Sequence, residues 1–69
     1  VVPQRVLAER PFSIDGRATK TRDLLVKWRG RPYDESSWER EQDLDRCGTQ
    51  FREAFDERER RLRAAYLPL

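Results

Sequence analysis

Apolar and polar residues alternate along residues 22–29 (RDLLVKWR), and this pattern predicts the clearest strand of the chain. Leu24, Val26 and Trp28 fall on one face of that strand, which is therefore uniformly apolar. A glycine and a proline follow and end the strand. We expect its apolar face to pack on the core.

Two shorter strands complete a predicted three-stranded antiparallel meander. Residues 5–10 (RVLAER) form an apolar-centred run that we expect to end at Pro11, because proline cannot donate a hydrogen bond within a central strand. Residues 36–39 (SSWE) predict the third strand. Residues 12–21 contain an Asp-Gly hairpin signal, but their length and polarity predict a loose loop rather than a two-residue turn.

The apolar period changes to about 3.6 after residue 45, which predicts a helix and hence a small α+β fold. The apolar residues at helical spacing are Phe51, Ala54, Phe55, Leu62, Ala65 and Tyr66. Asp45 or Thr49 could cap the start of the helix, and Pro68 would end it. Acid-before-base pairs would stabilise its exposed side by about 0.2–0.5 kcal/mol each. These pairs are Asp56 with Arg60, Glu57 with Arg61, and Glu59 with Arg63.

The length of 69 residues limits the chain to one small domain. We predict a single domain over residues 1–69, with a core at about residues 4–58 and a charged helical extension at 59–67. Apolar residues make up 36% of the chain and charged residues 41%, so the core must be compact. Four aromatic residues are expected to supply much of its area: Trp28, Trp38, Phe51 and Phe55.

Missing residue types argue against several classes of function. The chain has no histidine and one cysteine, Cys47, so we expect no disulfide, no zinc site and no His-based catalysis. No apolar run approaches the roughly 18 residues that span a membrane. We therefore predict a non-enzymatic module without a cofactor or membrane partner, in the cytosol or nucleus and part of a larger protein.

Charge is distributed in three blocks behind a net charge of +2. Residues 1–31 hold eight Lys/Arg and three Asp/Glu, a net of +5. Residues 32–45 hold six acids and one arginine, a net of −5, and residues 46–69 carry a net of +2. The middle block is either a solvated acidic loop or an acidic lip that attracts a Lys/Arg-rich peptide.

Three aromatic residues around the acidic block are candidates for ligand binding. Trp38, in the middle of a short strand, is predicted to be core. Trp28, at the last position of its strand, could be core or an exposed ring at the rim of the sheet, and Tyr33 could be a lid or a surface residue. An exposed ring beside carboxylates suits an alkylated ammonium group, through cation–π attraction.

The string LLVKWRGRPYDESSWE, followed by DL and by FREAF in the helix, resembles a chromodomain over roughly residues 4–58. The resemblance implies a curved three-stranded antiparallel sheet with a C-terminal helix packed across one end, in the element order that the pattern predicts. It also implies a chromatin-associated module that binds a basic peptide, such as a histone H3 tail, as an added strand.

Chromodomains that bind histone tails hold methyl-lysine in a cage of three aromatic walls, and the resemblance carries these positions over one at a time. Trp28 matches one wall, Arg31 stands at the second, and the third falls on Val1 or Val2. Since one aromatic of three remains and an arginine repels a cation, the resemblance implies a degenerate cage. Tyr33 could swing in as a substitute wall.

Three acidic positions of the family also carry over to this chain. Glu35 matches the acid beside the cage, Glu39 follows the third-strand tryptophan, and Asp43 matches a polar residue that contacts the peptide backbone. The predicted peptide-binding set is therefore Val1, Val2, Trp28, Arg31, Tyr33, Glu35, Glu39 and Asp43.

Two settings and two alternative functions stay open at this point. The chain resembles cage-poor chromodomains of two settings. One is the second chromodomain of chromodomain-helicase remodellers, which we favour, and the other is the chromodomain of retroelement integrases; either implies the nucleus. A nucleic-acid partner, DNA or RNA, could be contacted through the basic residues Arg17, Lys20, Arg22, Arg29 and Arg31. A purely structural role, with the charged helix packed on a neighbouring domain, is the third hypothesis.

Overall fold

Three antiparallel strands in the order β1-β2-β3 are followed by two helices, which confirms the predicted α+β fold. A computed structural model describes residues 1–66, apart from the side chain of Ala18. The elements are β1 (Pro3–Ile14), β2 (Arg17–Trp28), a 3₁₀ turn (Tyr33–Glu35), β3 (Ser37–Arg40), α1 (Glu41–Asp45) and α2 (Gln50–Tyr66). The predicted helix stop at Pro68 lies outside the described residues.

The connection between β1 and β2 is a tight hairpin turn. Asp15 and Gly16 have φ values of 51° and 77°, and a two-residue type I′ turn requires positive φ at both positions. Ile14 pairs directly with Arg17 across this turn. The prediction of a loose loop over residues 12–21 is therefore wrong. The Asp15-Gly16 pair forms the turn, and the polar residues on either side of it belong to the paired strands.

The prediction that the first strand ends at Pro11 is also wrong. β1 lies at an edge of the sheet, where one side of the backbone needs no partner, so proline is tolerated there. The pairing shifts register between Pro11 and Ser13, and the Thr19 hydroxyl donates a hydrogen bond to the Phe12 carbonyl at 2.8 Å near this shift. A side chain thus stabilises the irregular part of the ladder.

The core lies between α2 and the face of the sheet that carries Leu24 and Val26, which we call the inner face. Its buried members are Val6, Leu24, Val26, Leu44 and Phe55, with Trp28 and Phe51 packed against them. Leu24 and Val26 expose 0% of their surface, as the alternation of residues 22–29 predicts. Burial of each such side chain stabilises the fold by about 1.5–3 kcal/mol.

Trp38 is not a core residue, and that prediction is wrong. It pairs with Leu25, whose side chain points away from the core, and its own side chain is 37% exposed. Successive residues of a strand face opposite sides, so a shift of one position in register decides which face a residue joins. A four-residue strand has too few positions for its apolar pattern to specify that register.

Arg22 connects the sheet to both helices through a network of ion pairs. Its guanidinium donates hydrogen bonds to Asp56 of α2 at 2.9 and 2.8 Å, to Glu41 of α1 at 3.1 Å and to Glu9 of β1 at 3.1 Å. The pKa of Arg22 is raised, chiefly by the hydrogen bond to Asp56. One β2 side chain therefore contacts three other elements.

A second arginine extends this network within the helical part of the chain. The Nε of Arg52 lies 3.1 Å from Asp45 and 3.3 Å from Glu41. The pKa of Asp56 is lowered, first by the hydrogen bond from Arg22 and against the opposing effect of burial. The predicted pair of Asp56 with Arg60 is replaced by this longer-range contact.

Contact between α2 and the sheet extends as far as Arg58, whose guanidinium donates to the Val6 carbonyl at 2.8 Å. The predicted pair of Glu57 with Arg61 forms at 3.1 Å, and residues 60–66 are exposed. Helix α2 begins directly after Thr49, one of the two predicted capping residues. The division into a core over about 4–58 and an extension over 59–67 stays a prediction.

We expect Asp56→Asn to lower the free energy of unfolding by about 1–2 kcal/mol at neutral pH, because hydrogen bonds to charged groups are among the stronger ones. Since the folded pKa of Asp56 is lowered, its contribution is present above the unfolded pKa of about 4 and is lost as the pH falls through the folded pKa. Urea unfolding at several pH values measures both effects.

Glu57→Gln is the matched control, because it removes a carboxylate whose partners on α2 are exposed. We expect it to cost less than about 0.5 kcal/mol and to leave the pH dependence of stability unchanged. Equal losses for the two variants would contradict the role given to the Arg22 network.

Candidate functional site

The first residues of the chain run beside the end of β2. The Val2 carbonyl accepts a hydrogen bond from the Arg29 amide at 2.9 Å, and Pro3 pairs with Trp28. The side chains of Val1 and Val2 are exposed, at 87% and 48%. An accessible stretch of backbone therefore lies next to the only ring among the predicted cage walls, at what we call the sheet end.

A chain of hydrogen bonds links Trp28 to an acidic residue at the sheet end. The Trp28 indole Nε1–H donates to the Ser37 hydroxyl at 2.8 Å, and that hydroxyl donates to the Glu39 carboxylate at 2.7 Å. Trp28 is partly buried and packs against the core, so both interpretations from the sequence hold in part. The role of Ser37 was not predicted, although its place two residues before Glu39 puts both on one face of β3.

Arg31, at the second wall of the family's cage, carries its own counter-ion. Gly30, with φ of 77°, turns the chain, and Arg31 then forms an ion pair with Glu35 at 3.2 Å. The two side chains are about half exposed, at 53% and 50%. The acid expected beside the cage therefore faces an arginine of the same chain.

Tyr33 is 60% exposed and also contacts a cation of its own chain. The Lys27 ammonium lies 5.1 Å from the centre of its ring. That ammonium also donates to the Gln4 side chain and to the Trp28 carbonyl, both at 2.9 Å, and Lys27 is only 6% exposed. A move of Tyr33 toward the cage would remove the ring from this buried cation.

The acidic block divides into two parts in the fold. Glu41 and Asp45 contact arginines of the Arg22 network and are neutralised there. Asp43 is about half exposed on α1 and lies 3.7 Å from Arg46, a weak surface pair. Of the other acids of the block, Asp34 and Glu35 lie on the 3₁₀ turn and Asp43 on α1, and all three are exposed, whereas Glu39 on β3 is half-buried.

The basic residues proposed for nucleic-acid contact do not form one patch. Arg17 and Lys20 lie near the hairpin turn, whereas Arg29 follows the opposite end of the 12-residue strand β2, about 40 Å away along an extended chain. Arg22 contacts three carboxylates. These residues therefore lie at opposite ends of β2, and the charge of Arg22 between them is already neutralised by carboxylates.

Within residues 1–66, no three His, Cys, Asp or Glu side chains lie together in a way that could hold a metal ion. Among the same residues, no helix is both long and apolar enough to cross a membrane. The sheet end presents polar, acidic and aromatic groups, namely Ser37, Glu39 and Trp28.

The family comparison matches the Chromo (CHRromatin Organisation MOdifier) domain over residues 1–58. The matched region contains the whole sheet, α1 and α2 as far as Arg58, the residue that contacts the Val6 carbonyl. Neither the comparison with curated proteins nor the comparison with solved structures returned a match.

We expect Ser37→Ala to disconnect Trp28 from Glu39. The indole N–H would lose a partly buried hydrogen bond, which should lower the free energy of unfolding by about 1–2 kcal/mol. The indole proton of Trp28 should exchange faster with water, as measured by NMR. Ser13→Ala, at an exposed position of β1, is the control and should change neither quantity; an unchanged exchange rate in Ser37→Ala would refute the link.

Proposed function

This chain belongs to the chromodomain family, whose members are chromatin-associated peptide-binding modules and are generally non-enzymatic, and we propose that it binds a basic peptide, such as a histone H3 tail, by strand addition. The observation that carries the proposal is the sheet end, where the exposed residues Val1 and Val2 lie beside Trp28, and Ser37 links that ring to Glu39. The partner peptide would run along this backbone and present its basic side chains to the acids.

Backbone hydrogen bonding supports strand addition at this position. β1 is an edge strand, so half of its backbone groups face no neighbouring strand. In this binding mode, main-chain hydrogen bonds supply affinity and alternate side chains supply specificity. Asp43 on α1 would contact the backbone of the added peptide from its other side.

Electrostatic complementarity supports a cationic partner. Glu39 is held in place by Ser37, and Asp43 has only a weak partner in Arg46. Complementary charges of this kind increase the association rate and select among partners more than they raise affinity. We therefore propose that lysines and arginines of the peptide meet Glu39 and Asp43.

We propose that the chain discriminates weakly between methylated and unmodified lysine. Trp28 would be the one aromatic wall, with Arg31 at the second position and Val1 or Val2 at the third. A cation over one exposed ring gains about 0.5–1 kcal/mol, which corresponds to about two- to fivefold in affinity. Glu35 lies 3.2 Å from Arg31 and offsets part of its repulsion without supplying a second ring.

The setting that we propose is a larger chromatin protein in the nucleus. We favour the second chromodomain of a chromodomain-helicase remodeller over a retroelement integrase, because the PYxxSSWE-like loop and the long first hairpin fit the former. DNA or RNA contact through Arg17, Lys20, Arg29 and Arg31 is the alternative. It predicts that duplex DNA binds and that its affinity falls steeply with salt.

The function is tested by titrating fluorescent H3-tail peptides, unmodified and trimethylated on lysine, into the chain and measuring anisotropy. We expect Glu39→Gln to weaken binding of both peptides about three- to tenfold at low salt, because it removes a charge that attracts the peptide. Glu57→Gln, which removes a charge far from the sheet end, should bind as the wild type does. Absence of any binding tighter than millimolar would rule out the histone-tail proposal.

We expect Arg31→Tyr to create a second aromatic wall and to increase the preference for trimethyl-lysine about two- to fivefold over the wild type. Arg31→Gln removes the same charge without adding a ring. If both variants gain equally, repulsion by Arg31 is the dominant effect. A gain in neither would show that the peptide lysine does not reach this position.

A further inference from the structure

The face of the sheet opposite the core, which we call the outer face, is not covered by either helix. Two cross-strand rows occupy it: Ala8–Leu25–Trp38, and Arg10–Asp23–Arg40. Residues directly opposite each other in paired strands share a face, so each row lies on one side of the sheet. The helix α2 packs on the inner face, against β1 and the core.

Two aromatic rings on this face are each paired with an arginine two strands away, so that each pair joins β1 and β3 across β2. The Arg10 guanidinium lies 4.2 Å from the centre of the Trp38 ring, and that of Arg40 lies 3.3 Å from the centre of the Phe12 ring. At these separations a planar guanidinium rests against the face of a ring. The result is two flat π-cation pairs side by side across three strands.

The charge of the outer face is positive and incompletely neutralised. Arg10 contacts Asp23 at 3.3 Å, and Asp23 is only 13% exposed. Arg40 has no carboxylate within ion-pair distance among residues 1–66. The Arg10 side chain is 51% exposed and Trp38 is 37% exposed, so ring and guanidinium surfaces both remain accessible to solvent.

We propose that the outer face binds single-stranded nucleic acid, with bases stacked on the Trp38–Arg10 and Phe12–Arg40 pairs and phosphates close to the two guanidinium groups. Sheet faces that carry exposed aromatics can stack unpaired bases, and arginine planes accept bases in the same way. A single-stranded nucleic acid is complementary to this surface in charge, through its phosphates, and in shape, through its flat bases. An acidic peptide would match its charge but not its stacking planes.

This site differs from the peptide site in position and in charge. The sheet end presents Trp28 and, through Ser37, Glu39, whereas the outer face presents Arg10 and Arg40. The five basic residues considered from the sequence alone include neither of these two arginines. A negative result for peptide binding at the sheet end would therefore not contradict nucleic-acid binding on the outer face, or the reverse. Each site can be tested with variants of its own residues.

The test uses the chain with fluorescein-labelled 15-mers of oligo-U and oligo-dT, followed by anisotropy at several salt concentrations. We expect Trp38→Ala to weaken binding by about five- to 100-fold, because stacking of a base on an aromatic ring is lost. Trp38→Phe keeps a ring and should recover most of the affinity. A difference between the two oligonucleotides would show whether RNA or DNA is the better ligand.

Arg40 provides a second and independent comparison. Arg40→Lys keeps the charge but removes the planar group, so we expect weaker binding with an unchanged salt slope. Arg40→Gln removes the charge as well, and should reduce the slope of log affinity against log salt by about 0.7. Arg63→Gln on α2 removes an exposed cation from the other side of the sheet and is the control, with an affinity close to that of the wild type.

Three results would overturn the proposal. The first is the absence of oligonucleotide binding at low salt by a wild-type chain whose circular dichroism shows it to be folded. The second is equal weakening by Arg63→Gln and Arg40→Gln with no effect of Trp38→Ala, which would mean unspecific charge attraction. The third is tighter binding of duplex DNA or of a polyglutamate peptide than of either single strand, with the same dependence on Trp38.

Discussion

The guanidinium group of Arg22 holds the sheet and both helices in one arrangement. It stands on β2 and bonds to Glu9 on β1, Glu41 on α1 and Asp56 on α2. A planar group with five N–H donors can serve three carboxylates at once, which a lysine ammonium cannot do with the same geometry. Because both helices are attached on this side, the inner face of the sheet is closed and the outer face stays open.

Separation of the two faces gives the small domain two chemically different surfaces. Glu39, which takes no part in the Arg22 network, is linked through Ser37 to Trp28 at the sheet end, near the first residues of the chain. Arg10 and Arg40 lie on the outer face, each against an aromatic ring. A net charge of +2 therefore conceals an acidic surface and a basic one.

Much of the fold and part of the site could be predicted from the sequence. Alternation along residues 22–29 predicts the central strand, because a half-buried strand must place apolar groups on one face. The V-K-W-x-G and S-W-E strings indicate the family. The exposure of Trp38 on the outer face could not be predicted, since a strand of four residues does not specify its own register. The contact of Asp56 with Arg22 joins residues 34 positions apart, which no local pattern indicates.

Local chemistry in the sequence by itself determined the hairpin turn at Asp15-Gly16, the alternating core strand and the helical period, because each depends on neighbours a few residues away. Only the tertiary structure decided which carboxylates are neutralised, which tryptophan packs on the core and which lies on the open face. These outcomes depend on strand register and on contacts between distant elements. The same acidic block thus supplies Glu41 to the Arg22 network and Glu39 to the hydrogen-bond chain that reaches Trp28.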